Sequence, residues 1–148
     1  MPTERTNETT QLEWRELGFF YDQDETKKVW RLVGSKSGLG QFARLLREYA
    51  ANPARASVPQ HDHYGPYMYL KVVTRHSAGI DENNIHGTIA DLKRLALLID
   101  NQLASANEGD VFLIRGEYSP ESMWTLRFEV QGDRFDPASE DPELNRAT

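Results

Sequence analysis

The densest group of side chains able to do chemistry lies in residues 60–74, Gln-His-Asp-His-Tyr-Gly-Pro-Tyr-Met-Tyr-Leu-Lys-Val-Val-Thr. Within it His61, Asp62, His63 and Tyr64 are titratable neighbours placed directly before an extended run. On an extended backbone His61 and His63 project to one side about 6–7 Å apart, close enough for two imidazoles to share a metal ion. A catalytic metal centre also needs a third protein ligand and an open position. Asp62 points the opposite way in an extended segment, so His76 or His86, brought in by the fold, would have to serve. The competing reading is a solvated or hydrogen-bonded histidine pair with a structural or pH-sensitive role.

Other chemically suggestive stretches fail their own tests. Residues 34–40, Gly-Ser-Lys-Ser-Gly-Leu-Gly, lie between an expected strand and an expected helix, where backbone amides and the helix dipole can hold an anion. Their spacing matches neither the P-loop nor the dinucleotide fingerprint, and the flanking strands read as hairpin partners, which leaves flexibility and helix capping. Asp22-Gln23-Asp24-Glu25 starts like a calcium loop but lacks the later Asp or Asn, the Gly and the distant Glu, and it reads as a hairpin tip. Asp81-Glu82-Asn83-Asn84 is a polar turn or edge segment. Trp14, Trp30 and Trp124 each fall in an expected strand, where packing is the ordinary role. No Ser-x-x-Lys, Gly-x-Ser-x-Gly or His-Glu-x-x-His pattern occurs, and no catalytic residue is assigned.

The elements that must position the histidine cluster follow from hydrophobic period. From Tyr67 onward alternation places Met68, Leu70 and Val72 in the core, with Tyr67, Tyr69, Lys71 and Val73 on the other side. Residues 12–21 have strand propensity, although Trp14 falls on the opposite parity from Leu17, Phe19 and Tyr21, which asks for a bulge near Gly18. A return strand over 28–33 completes a hairpin. Residues 37–51 carry a helical stripe capped by Ser35 or Ser37 and ended by Asn52-Pro53. Residues 53–66 form a long loop. A weak extended segment over 80–85 precedes a second helix from Thr88 to about Ala106, whose Thr88 and Asp91 make a capping box. Strands over 111–118 and 123–131 close the domain.

At an offset of fifty the two helices match, Leu39 with Ile89, Phe42 with Leu92, Arg44 with Arg94 and Leu45 with Leu95. The resulting expectation is an α+β fold. It is a two-layer sandwich in ββα-ββα-ββ order, with one mostly antiparallel sheet of about six strands and two helices on one face. Residues 1–11 are expected to be a disordered lead-in, 12–131 a single domain and 132–148 an acidic disordered tail. Tyr67, Tyr69, Thr125, Arg127 and Glu129 would populate an open sheet face through which two copies could pair.

Composition narrows the setting. Of 148 residues, 39% are apolar and 27% charged, which is the balance of a globular domain. The longest apolar run, residues 95–99, is far shorter than the roughly 20 residues of a membrane span. The N-terminal residues lack the apolar core of a secretory signal, so a cytoplasmic location is expected. With no cysteine, disulfides, thiolate metal sites and a cysteine nucleophile are excluded. A net charge of −6 argues against a nucleic-acid backbone binder and suits a basic partner.

The run Gly34-x-x-x-Gly38-Leu39-x-x-Phe42-Ala43-x-Leu45-Leu46, followed by His61-x-His63 and an aromatic strand, resembles small α+β immunity proteins that neutralise bacterial polymorphic toxins. The resemblance covers roughly a quarter of the chain, and the chain adds a second helix-hairpin unit. It implies a cytoplasmic binding protein that seats a toxin on exposed loops or a sheet face, without catalysis or cofactor of its own. The expected function is therefore non-enzymatic protein binding through His61, Asp62, His63, Tyr64, Tyr67 and Tyr69. Two alternatives are a divalent transition-metal protein or metal-assisted enzyme using His61 and His63, and a small-ligand binder lined by Tyr64, Tyr67 and Tyr69.

Overall fold

The computed structural model describes residues 4–144. It has the α+β character expected, but with three helices and eight strands in two mixed sheets instead of two helices on one antiparallel sheet. Helix α1 spans Glu4–Leu17, where a lead-in and then a strand were expected; Met1, Pro2 and Thr3 lie outside the described residues. The parity conflict in this segment is helical spacing. Trp14 and Leu17, three apart, both turn into the core, and Leu12 stays in solvent. Gly18 ends the helix in the left-handed region that suits glycine, with its amide donating to the Trp14 carbonyl.

Strands β1 (Phe20–Asp24) and β2 (Val29–Ser35) form an antiparallel hairpin, as expected, but Asp22, Gln23 and Asp24, read as its tip, are paired strand residues. Ser35 then caps α2 (Lys36–Ala51), accepting from the Gly38 amide, and Asn52 ends it before Pro53. The segment read as a loop over 53–66 contains a short 3-10 turn and β3 (His61–Tyr64), an edge strand antiparallel to β4 (Leu70–Thr74). Strands β5 (Gly79–Ile80) and β6 (Ile85–Gly87) flank the polar turn at 81–84. Helix α3 (Ile89–Ser105) begins with the predicted Thr88–Asp91 capping box. Strands β7 (Val111–Ile114) and β8 (Thr125–Gln131) complete the set, and Pro137–Glu140 forms a 3-10 turn.

The strand orders are β1-β2-β8-β7 and β3-β4-β6-β5. In each sheet the two central strands run parallel and each edge strand is antiparallel to its neighbour. Dividing the chain after β4 gives two ββαββ halves, and exchanging them carries one sheet onto the other. The helix caps Ser35 and Thr88 define the relation, 53 positions apart. At that offset buried residues fall on buried residues: Leu39 on Leu92, Phe42 on Leu95, Ala43 on Ala96, Leu46 on Ile99 and Ala50 on Leu103. The offset of fifty is therefore corrected to 53.

Helices α2 and α3 pack on each other, α2 over β2 and β8 and α3 over β6 and β7, around one continuous apolar core. The outer face of the first sheet carries Arg31, Arg127 and Glu129, with Arg31 held bidentately by Asp22 at 3.0 and 2.8 Å. Of residues 132–148, expected to be a disordered tail, 132–144 run back over α1 and β1, and 145–148 lie outside the described residues. Arg15 pairs with Asp136 at 3.0 Å, and Arg31 approaches Glu140 at 3.8 Å. No helix among the described residues is long and apolar enough to cross a membrane.

Two glycines of α2 test the packing in opposite directions. A Cβ on Gly38 would lie 2.0 Å from the Gly18 carbonyl oxygen, whereas one on Gly40 meets nothing within 4 Å. In urea titrations Gly38→Ala should lose more than about 2 kcal/mol, because backbone must move, while Gly40→Ala should gain about 0.5–1 kcal/mol.

Candidate binding groove

The sequence-predicted residues separate into two places. His61 and His63 lie on the solvent face of β3, their ring centres 5.2 Å apart. Asp62 faces the other way and is held by Arg55 at 2.6 Å; the same guanidinium donates to the His61 carbonyl at 2.9 Å. Tyr64 is half-buried against the core, and burial above all pushes its phenol well up from the usual tyrosine value. His86 does not join the pair. It lies in register with Val73, which is itself in register with His61, two strand spacings away, and its ring turns to the Ser77 carbonyl at 2.9 Å and to Asp81. Among the described residues no group of three or more His, Asp or Glu side chains is arranged to hold a metal.

Tyr67 and Tyr69 enter a different structure. The expected alternation breaks at Met68, which adopts a left-handed backbone (φ 60°) and turns its side chain into solvent, so Met68 is not core; Leu70 and Val72 are. Gly65, at φ 86°, provides the close approach that the turn requires: a Cβ there would lie 2.6 Å from the Tyr21 hydroxyl. That hydroxyl donates to the Tyr64 carbonyl and accepts from the Leu70 amide at 3.2 Å, fixing both ends of the turn.

The turn forms one wall of an open groove of about 610 Å³. Trp14 from α1, Phe20 and Tyr21 from β1, Trp30 from β2 and residues 141–143 supply the rest. Its aromatic rings are continuous: Tyr69 lies 5.8 Å from Tyr67, Tyr67 6.1 Å from Trp14, and Trp14 5.2 Å from Tyr21. Asp22, Glu25, Asp141 and Glu143 also line it, and among the described residues no Lys or Arg does.

Asp141 is the centre of the groove. At 1% exposure its Oδ2 accepts from Trp14 Nε1 at 2.8 Å and from the Tyr67 hydroxyl at 2.6 Å, while Oδ1 accepts from the Glu143 amide at 2.9 Å. All three donors are neutral, and no Lys or Arg pairs with it among the described residues. Its oxygens are thus satisfied by neutral dipoles beneath the groove, with no counter-charge beside them among the described residues. Sequence patterning missed Asp141 because its segment has no apolar rhythm.

Comparison of the chain with protein-family models, curated proteins and solved structures gives no match.

Burial, then the Asp141 hydrogen bond, also raises the Tyr67 phenol well above its usual value, and burial raises those of Tyr64 and Tyr118. A folded-state value above the unfolded one near 10 means the stabilisation is complete below about pH 10 and is lost as pH rises further. Stability measured by urea should hold to about pH 9.5 and fall beyond it, with a shallower fall in Tyr67→Phe. Replacing Asp141 with Ala strands two buried donors and should cost about 2–4 kcal/mol, with faster limited proteolysis after residue 131.

Proposed function

We propose that the chain is a non-enzymatic protein-binding module whose groove receives a basic segment of its partner. The observation that carries this reading is the Asp141 carboxyl group, buried with neutral donors only, under an aromatic groove lined, among the described residues, by four acidic residues and no basic one. An Arg or Lys side chain complements both parts. Its charge meets Glu25 and Glu143 above the buried Asp141, and its apolar stem and cation lie over the Tyr67 and Tyr69 faces. Asp22 contributes less, since Arg31 already holds it. The chain's net charge of −6 would speed association with a basic partner.

The particular form proposed is an immunity-type inhibitor that seats a toxin in the cytoplasm. The resemblance in residues 34–46 and the acidic groove support it. The edge strand carrying His61, Asp62 and His63 leads into the β3–β4 turn that carries Tyr67 and Tyr69, so a macromolecular partner that fills the groove can extend over both.

A fluorescently labelled ten-residue Arg-rich peptide serves as probe for anisotropy titration. Tyr69 is 67% exposed, so Tyr69→Ala should leave stability within about 0.5 kcal/mol of the parent while weakening binding roughly 3- to 30-fold, the range of a cation–π contact. Glu25→Lys should weaken it further, and Glu48→Lys, on exposed α2, should not. Equal binding of an acidic peptide of the same length, or equal effects of the two reversals, would remove the groove as the site.

A further inference from the structure

Two features of the His61 and His63 imidazoles, the contacts of their Nδ1 atoms and the separation of their rings, suit a metal chelate. His63 Nδ1 lies 3.0 Å from the Met68 carbonyl oxygen and His61 Nδ1 3.3 Å from the Pro59 carbonyl oxygen. A carbonyl oxygen only accepts, so Nδ1 is the donor in each contact, and the tautomer that this contact selects in a neutral ring has its lone pair on Nε2. A backbone carbonyl holding the distal N–H is the arrangement that orients metal-ligating histidines and fixes their tautomer. Neither Nε2 has a hydrogen-bond partner among the described residues, and both side chains are exposed.

The separation also fits. With a metal–nitrogen bond of about 2.0–2.1 Å and a ring centre about 1.1 Å behind the nitrogen, two imidazoles at a tetrahedral angle have centres about 5.2 Å apart. The His61 and His63 ring centres are 5.2 Å apart, with the rings nearly perpendicular. The strand beneath them is held by Arg55, which bonds the His61 carbonyl and the Asp62 carboxylate. Because β3 is an edge strand, the pair is open to solvent and to anything docked beside it.

We propose that Nε2 of His61 and Nε2 of His63 form a two-point chelate for a divalent transition ion of the nickel, copper and zinc series. Water, or donors from a docked partner, complete its coordination shell. Imidazole nitrogen suits these ions, and two ligands give an open site, not a catalytic or structural centre. Lys71, in register with His63 on the same face, places a positive charge nearby and lowers the affinity.

Isothermal titration of tag-free protein with nickel chloride, repeated with zinc chloride, tests this. One saturable site per chain is expected. It should be lost in His61→Ala and in His63→Ala, kept in His76→Ala, and tightened several-fold in Lys71→Gln; circular dichroism confirms that each variant is folded. Binding that survives His63→Ala, or no saturable binding at millimolar nickel, overturns the assignment. Because the Arg-rich peptide probe addresses the groove and not the histidines, the outcome is independent of the proposed function.

Discussion

Three segments that are far apart in the chain converge on one carboxylate. Asp141 receives Trp14 from the first helix and Tyr67 from the β3–β4 turn, and its own segment is thereby drawn over both. The arrangement is demanding, because a buried carboxyl group is tolerated only when its polar atoms are met and its surroundings hold their geometry. Much else follows from that demand. Trp14 must be at the inner face of α1, Met68 must turn outward so that Tyr67 can turn inward, and Gly65 must leave room for Tyr21. The groove is the space left between these obligations.

The charged contacts around it have lesser weight. Arg15–Asp136 and the Arg31 cluster are partly solvated, and pairs of that kind contribute little individually. Their value lies in register: Arg31 touches Asp22 of β1, Glu129 of β8 and Glu140 of the returning segment, so one guanidinium aligns three elements. The aromatic rings, by contrast, combine large buried area with tilted and edge-on contacts, and they supply the rigidity of the groove floor.

Much of this was visible in the sequence wherever apolar period carried the information. The stripes of α2 and α3, the Thr88 capping box and the alternation of β8 are all local patterns, and they are present as read, while the first hairpin is present with its first strand moved to 20–24. Helix α1 was hidden because just two of its large apolar residues, Trp14 and Leu17, face inward among Thr, Asn and Glu. Their spacing of three was the available signal. The segment after β8 attaches through Asp136, Glu140 and Asp141, and a method that follows apolar residues does not see polar anchors. The pairing of β2 with β8 was out of reach for a different reason: alternation tells which face of a strand is buried and says nothing about its neighbour. Tyr67 and Tyr69 were placed on a strand that in fact begins at Leu70, and their position beside Asp141 depends on the left-handed residue between them.

The interlocking of the two halves has a temporal side. Each sheet draws one hairpin from the first ββαββ unit and one from the second, and Val29 of β2 finds its partner Thr125 only near the other end of the chain. Closing so long a loop comes before the reward of pairing, which makes assembly slow compared with a fold of local contacts. During synthesis on the ribosome, the emerging amino-terminal half holds a hairpin whose inner strand has an empty flank, and nothing made so far can occupy it. Completion arrives all at once, when the last strand is released and slides in alongside the first pair.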